Sequence, residues 1–403
     1  KKLELACESA VNRYLAGELE LKEGAEELSI NGIKVIAQKE YKGLFLKFTA
    51  KAYNHADSVK VVYDLAEKAL SPFDKALIIS APNLTATVAG ETEITGDMLL
   101  TTKNIQMGRI FGIENASSDY HDGDIIVDGS IKAKAFEEAP LRNLFFDINK
   151  PVENASLIKG DFLLTESSLA QIGSMRNIFI NGSLTISGSI QSSRYSNPLN
   201  ITVSGGLIIE ENSKCDLDLT IACASKAYIK SGANLSGMVI SSLDTVEIMP
   251  KTAFKDCQIY SSSSIKMDES YFGYPSIIGI YVDASKQDKL DESLEINNSV
   301  INGSVLLVST VTGLNTNKSI IKIDDKSYIQ GLIYSENNSG IEGKVDGIIY
   351  TRNFYFYKDP TEYINWMVNL NVNRKNLDEH FLLPIGFAND AENMEILNVK
   401  WMY

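Results

Sequence analysis

A five-residue phrase, apolar-x-Gly-x-apolar, recurs along this chain and constrains its fold more than any other feature. It reads "ITGDM" from Ile94, "VDGSI" from Val127, "IKGDF" from Ile158, "INGSL" from Ile180 and "ISGSI" from Ile186. It returns as "VSGGL" from Val203, "LSGMV" from Leu235, "INGSV" from Ile301, "IQGLI" from Ile329, "IEGKV" from Ile341 and "VDGII" from Val345. Glycine weakens a strand interior, so its return between apolar residues marks bends where backbone turns a corner or approaches a neighbouring strand. The stretch from 205 to 270 sets the period. Ile209, Ile229, Ile248 and Met267 begin matching strands at a regular spacing, and Cys215, Leu235 and Phe254 match one another further along each copy. Later copies begin near Ile296 and Ile323, with loops inserted around 284–292 and 311–318.

A unit of about 20 residues is too short for a four-stranded propeller blade, and it lacks the helix of leucine-rich or ankyrin arrays. It fits one turn of a β-solenoid, each turn stacked on the next at ~4.8 Å. The expected fold class is mainly β: a right-handed parallel β-helix over 76–358 with a small N-terminal α+β domain. About ten to twelve turns predict a rod on the order of 50 Å long. The cysteines Cys215, Cys223 and Cys257 fall at or beside apolar repeat positions and read as small core residues. Cys215 and Cys257 lie about two turns apart, beyond disulfide reach.

The segment 1–75 follows a different pattern. "KKLELACESAVNRYLAGE" places Leu3, Ala6, Cys7, Ala10, Val11, Tyr14 and Leu15 on one helical stripe. Three period-two runs follow, "INGIKVIAQ", "GLFLKFTAKAY" and "SVKVVYDLA", joined by connections too short for parallel crossovers, so they pair antiparallel. At the far end, the repeat stops at Pro360. "TEYINWMVNLNV" predicts a short helix, and 359–403 as a whole predicts a cap over the last turn or a docking segment.

The net charge of −14 is spread along the chain and argues against nucleic-acid binding, which needs a concentrated basic surface. No apolar run approaches the ~18 to 20 residues that span a bilayer. The chain begins at Lys1 rather than Met, which predicts an anchoring or leader segment removed upstream, and membrane association through it. No CxxC pair occurs and the three histidines lie far apart, against a zinc site. No phosphate-cradling loop or nucleophile elbow is present.

Two constellations carry what binding chemistry the sequence offers. "SSDYHDGDIIVDGS" gathers Asp119, Asp122, Asp124 and Asp128 around His121, a possible Ca²⁺ loop without the full calcium-loop spacing. No other cofactor is expected. A stripe of aromatics, densest in "YFGYPSIIGIYVDAS", offers Tyr271, Tyr274 and Tyr281, with Trp366 beyond it, as contacts for a glycan or partner. Tyr195, Tyr260 and Phe272 are further members, with packing between turns as the alternative.

Two resemblances extend this reading. The helix "LACESAVNRYLA" followed by "GIKVIAQ", "GLFLKFTAKAY" and "VKVVYDL" resembles the soluble part of type IV pilins and pseudopilins. The phrases "VDGSI", "ISGSI" and "IEGKV" over about 90–350 resemble bactofilin-like β-solenoids. Together they imply a membrane-anchored component of the periplasm or cell surface, working with other envelope or pilus-like proteins or with extracellular glycans. The expected function is non-enzymatic assembly, adhesion or scaffolding. The alternative is a β-helix that binds or cleaves polysaccharide, which would need carboxylates converging on one face.

Overall fold

A computed structural model describes residues 1–21, 24–54, 57–82, 84–113, 116–145, 148, 154–172, 175–191, 198–285, 291–311, 318–388 and 391–402. The chain divides into two units, one of Lys1–Leu70 with His380–Tyr403 and one of Ser71–Glu379.

In the first unit, helix α1 (Lys2–Leu15) buries Leu3, Ala6, Cys7, Ala10, Val11 and Tyr14, the stripe its periodicity predicts. These side chains pack on an antiparallel sheet of β1 (Gly24–Ile30), β2 (Ile33–Lys42), β3 (Phe45–Tyr53) and β4 (Ser58–Lys68). Tyr14 lies 5.3 Å from Phe48, ring to ring, and Phe48 lies edge-on to Tyr63. Two late strands, β5 (Leu382–Leu383) and β6 (Met394–Met402), pair antiparallel with β4. The buried carboxylate of Glu67 on β4 fixes this return, accepting hydrogen bonds from the backbone N–H groups of Gly386, Phe387 and Ala388 at 2.7–3.0 Å. The stretch 359–403 is therefore not one cap. Its last part completes the sheet that Lys1–Leu70 begins.

The second unit is a coil of parallel strands with three faces per turn. On one face, called A, the inward residues form a single ladder. It runs Ile178, Ile201, Ile221, Ile240, Ile259, Ile278, Val305, Ile333 and Ile349, each paired with the next. Face B carries Ile209, Ile229, Ile248, Met267, Ile296 and Ile323 in register, so the period read from the sequence is the period of the coil. Face C aligns Cys215, Leu235, Phe254, Phe272, Ile301 and Ile329, with the Phe254 and Phe272 rings stacked at 4.2 Å. Cys7, Cys215, Cys223 and Cys257 are all buried. Burial pushes the Cys215 thiol up to about 12.

The turns do not stack in chain order. After Ile349 the face A ladder continues into Leu77, then Met98, then Ile125. Face C likewise passes from Val345 to Val372, Ile94 and His121. The chain thus enters the coil in mid-stack at residue 77 and winds to one end near 127. It resumes winding at 156, at the opposite end, and works back until its last turn meets its first. A parallel strand accepts any neighbour whose register and side-chain volume match. A local repeat therefore defines the turn without defining which turn lies beside it.

The predicted helix at 361–372 does not form. Thr361–Ile364, Trp366–Val368 and Asn371–Asn373 are strands, the last two pairing in parallel with Ala86–Ala89 and Glu93–Thr95. Asn365 and Asn369 between them adopt left-handed φ of 61° and 55°, which an α-helix does not accommodate.

A strap over 128–145, containing helix α2 (Glu138–Asn143), runs across the outside of face A. The Tyr350 hydroxyl donates to Lys132 O, and the Tyr334 hydroxyl accepts from the N–H groups of Ala135 and Phe136 at 2.8 and 3.0 Å. Phe145 stacks on Tyr281 at 6.0 Å, and Ser241 donates to Leu144 O. The strap's own Phe136, Leu141 and Phe145 are buried.

Candidate functional site

The residues singled out in the sequence do not form one site. Asp122 pairs with Lys375 at 2.8 Å, which holds its carboxyl below the usual carboxylate range. Asp128 accepts from the Ser130 hydroxyl and N–H, and Asp119 accepts from Ser118. The Asp124 N–H donates to Asp97, and a ring nitrogen of His121 lies 3.0 Å from Gly96 O. The aspartates engage separate partners, and among the described residues no three metal-ligating side chains converge. Tyr195 lies outside the described residues.

The aromatic stripe also separates. Tyr281 is 2% exposed, closed beneath the strap by Phe145, so it is no surface contact. Burial pushes its hydroxyl up to about 12. Tyr260 and Phe272 are buried too. The faces explain the split: on face C, Phe272 points into the core and its neighbour Tyr271 points out, whereas Tyr281 points out from face A, where Phe145 of the strap covers it. Tyr271 and Tyr274 are exposed on the turn before, with Asn302 donating to the Tyr271 hydroxyl. Trp366 lies elsewhere, half-buried and edge-on to Tyr363 at 4.9 Å.

Trp366 borders a hollow of this unit. After Phe354 the strand Lys344–Lys358 leaves the stack and forms an antiparallel hairpin with Thr361–Ile364. The hairpin stands over face B and leaves two adjoining hollows of about 230 and 770 Å³, both lined by Ile320, Lys322, Tyr355 and Tyr357. Trp366, Asp324 and Glu342 close the smaller hollow, while Glu295, Lys318 and Glu362 line the larger.

The electrostatics of this groove are mixed but predominantly acidic. Lys322 Nζ bonds Glu295 at 3.2 Å. Burial works against the Glu295 charge, but Lys322 and Ser293 offset it, and the carboxyl sits below its ordinary value. Glu342 is shifted the other way, raised by burial and then by the charges of Asp325 and Asp324. On the hairpin, burial together with the charge and hydrogen bond of Glu362 raises the Tyr355 hydroxyl. Tyr357 is exposed, with its hydroxyl donating to Asp359 at 2.9 Å.

Sequence reasoning reached Trp366 but missed Tyr355, Tyr357, Lys322 and Glu362. The available signal was "NFYFYKDPTEYINW", where Tyr355 and Tyr357 alternate before an Asp-Pro turn. No helix among the described residues is long and apolar enough to cross a membrane. No protein-family model, curated protein or solved structure matches this chain.

Proposed function

We propose that this protein is a non-enzymatic scaffold or adhesion component of a bacterial cell envelope, built on a right-handed β-solenoid. The observation that carries this reading is the face A ladder, which crosses from Ile349 to Leu77 without losing register. The turns at Ile349 and Leu77, far apart in the chain, thus belong to one continuous stack. Its stiffness comes from stacked inward side chains and from inter-strand hydrogen bonds along every face. Such an element suits holding partners at a fixed spacing. Terminal strands such as His121–Asp122, Ile125–Val127 and Ser156–Lys159 supply short edges of the kind that recruit neighbours. The layout of α1 on an antiparallel sheet supports the envelope assignment through its likeness to pilins. The partners of this reading are other envelope or pilus-like proteins, or extracellular glycans, and not nucleic acid, given the net charge of −14.

Fractionation of the producing cell tests it. The protein is expected with the periplasm, membrane or cell-surface fraction. Recovery entirely in the cytosol contradicts the reading.

A further inference from the structure

Beyond a scaffold, the coil carries a ligand groove where the hairpin stands over face B. We propose that this groove binds an amino-sugar oligosaccharide, with Tyr355 and Tyr357 as the stacking platform and the groove carboxylates as polar partners.

The platform follows from strand geometry. Tyr355 and Tyr357 are two apart on one strand, so both point to the same side with their attachment points about 7 Å apart. Both line the groove, and Trp366 extends the aromatic surface into the smaller hollow. Aromatic faces spaced along a trough suit flat sugar rings in succession, because the apolar face of each ring packs on a side chain while its hydroxyls stay at the edges.

The opposite wall supplies those edges with polar partners. Lys322 and Glu295 face the trough as a bonded pair, and Glu362 enters from the hairpin. The class of sugar follows from charge. Asp291, Glu295, Asp324, Glu342 and Glu362 line the two hollows against Lys318 and Lys322. A uronic-acid polymer would bring further carboxylates into this acidic trough, where like charges repel. An amino sugar brings an ammonium, or an amide N–H when acetylated, and either donates to carboxylate oxygen. The trough therefore selects against pectin-like polymers and for amino sugars. The larger hollow, at about 770 Å³, lies in the range of sites that enclose small ligands.

Isothermal titration of the full chain tests this with three hexamers: glucosamine, N-acetylglucosamine and galacturonic acid. Glucosamine and N-acetylglucosamine hexamers are expected to bind, the former more weakly as salt rises, and the galacturonate hexamer at least tenfold more weakly than either. Tyr357→Ala removes an exposed ring and leaves the coil core untouched. It is expected to weaken amino-sugar binding about five- to tenfold. Glu362→Gln is expected to weaken the glucosamine hexamer more than the acetylated one. Absence of binding by both amino-sugar hexamers overturns the proposal. So does binding indifferent to Tyr357→Ala in a variant whose circular dichroism and unfolding midpoint match the parent, or tighter binding of galacturonate.

Discussion

Gly182 and Gly188 both sit in "INGSLTISGSI", and the chain needs glycine at each for a different reason. A Cβ on Gly182 would meet the backbone of the neighbouring turn, at Gly160 and at Asp161 N, 2.7 Å away. Gly188 has open space around it but adopts φ +86°, a conformation that costs other residues about 1–2 kcal/mol. Gly182→Ala is accordingly expected to cost about 2–3 kcal/mol, since neither backbone can yield without separating two turns. Gly188→Ala is expected to cost about 1 kcal/mol, and Gly188→Asn less, because Asn tolerates left-handed φ. Urea unfolding midpoints check the order, and equal losses for the two alanine variants contradict it. The αL residues Asn212, Lys251, Glu269 and Asn298 each precede a buried hydroxyl residue: Ser213, Thr252, Ser270 and Ser299. Thr252 and Ser270 share a hydrogen bond of 2.7 Å, and Ser299 accepts from the Ser270 N–H at 3.0 Å. Asn and Ser crowd the segments between strands because their side chains bond local backbone at tight turns, and that much is legible in the sequence. The joining of those hydroxyls between turns is not, because it depends on which residue lies one turn away.

The strap is the element whose role sequence patterning could not reveal. Residues 128–145 carry neither the period of the coil nor a long helix, and their apolar Phe136, Leu141 and Phe145 are too sparse to identify their target. Their docking depends on a buried polar relay. The Tyr334 hydroxyl takes the two strap N–H groups and donates to Glu336 at 2.8 Å, while the Ser309 N–H donates to the other Glu336 oxygen. Burial pushes the Glu336 carboxyl up to about 7, against the lowering effect of the Ser309 N–H and of Lys134 on the strap; Glu138, also on the strap, raises it. Its folded value lies above the ordinary value of 4.5, so the folded state holds the proton more tightly. The stabilisation is complete below about pH 4.5 and is lost as pH rises through about 7, about 3 kcal/mol in all. The unfolding free energy of the parent protein is expected to fall between about pH 5 and 7 more steeply than that of Glu336→Gln. Parallel pH profiles for the two contradict the assignment. The hairpin shows the same limit of sequence reading. Its aromatics were visible as a string, but Asn365 and Asn369 broke the expected helix into strands that pair with residues some 280 positions away.

At the scale of the whole chain, the coil is an insertion between Lys1–Leu70 and His380–Tyr403. Its entry and exit are neighbours, because Glu93 N–H donates to Leu370 O at 2.7 Å and Leu77 pairs with Ile349. Solenoid stability is close to a sum over neighbouring turns. Stacking the first turns on the last leaves the number of interfaces and the two ends unchanged; it changes which turns are neighbours, and so brings the coil's entry beside its exit. The period, the coil it implies and the small buried cysteines were all readable from residues such as Ile209, Ile229 and Cys215. The closure was not, since nothing local distinguishes "ITGDM" as a neighbour of residues 371–373 from "ITGDM" as the first turn of a simple stack. An engineered disulfide tests the closure most directly. Glu93 and Asn371 are partners in adjacent parallel strands, within the ~4.4–6.8 Å Cα separation a disulfide spans, and the native cysteines are buried. The double variant Glu93→Cys, Asn371→Cys is predicted to form an intramolecular disulfide in the folded protein, identified by peptide mapping. Turns stacked in chain order would hold these positions on the order of 50 Å apart, and failure of the folded double variant to cross-link within one chain would contradict the account.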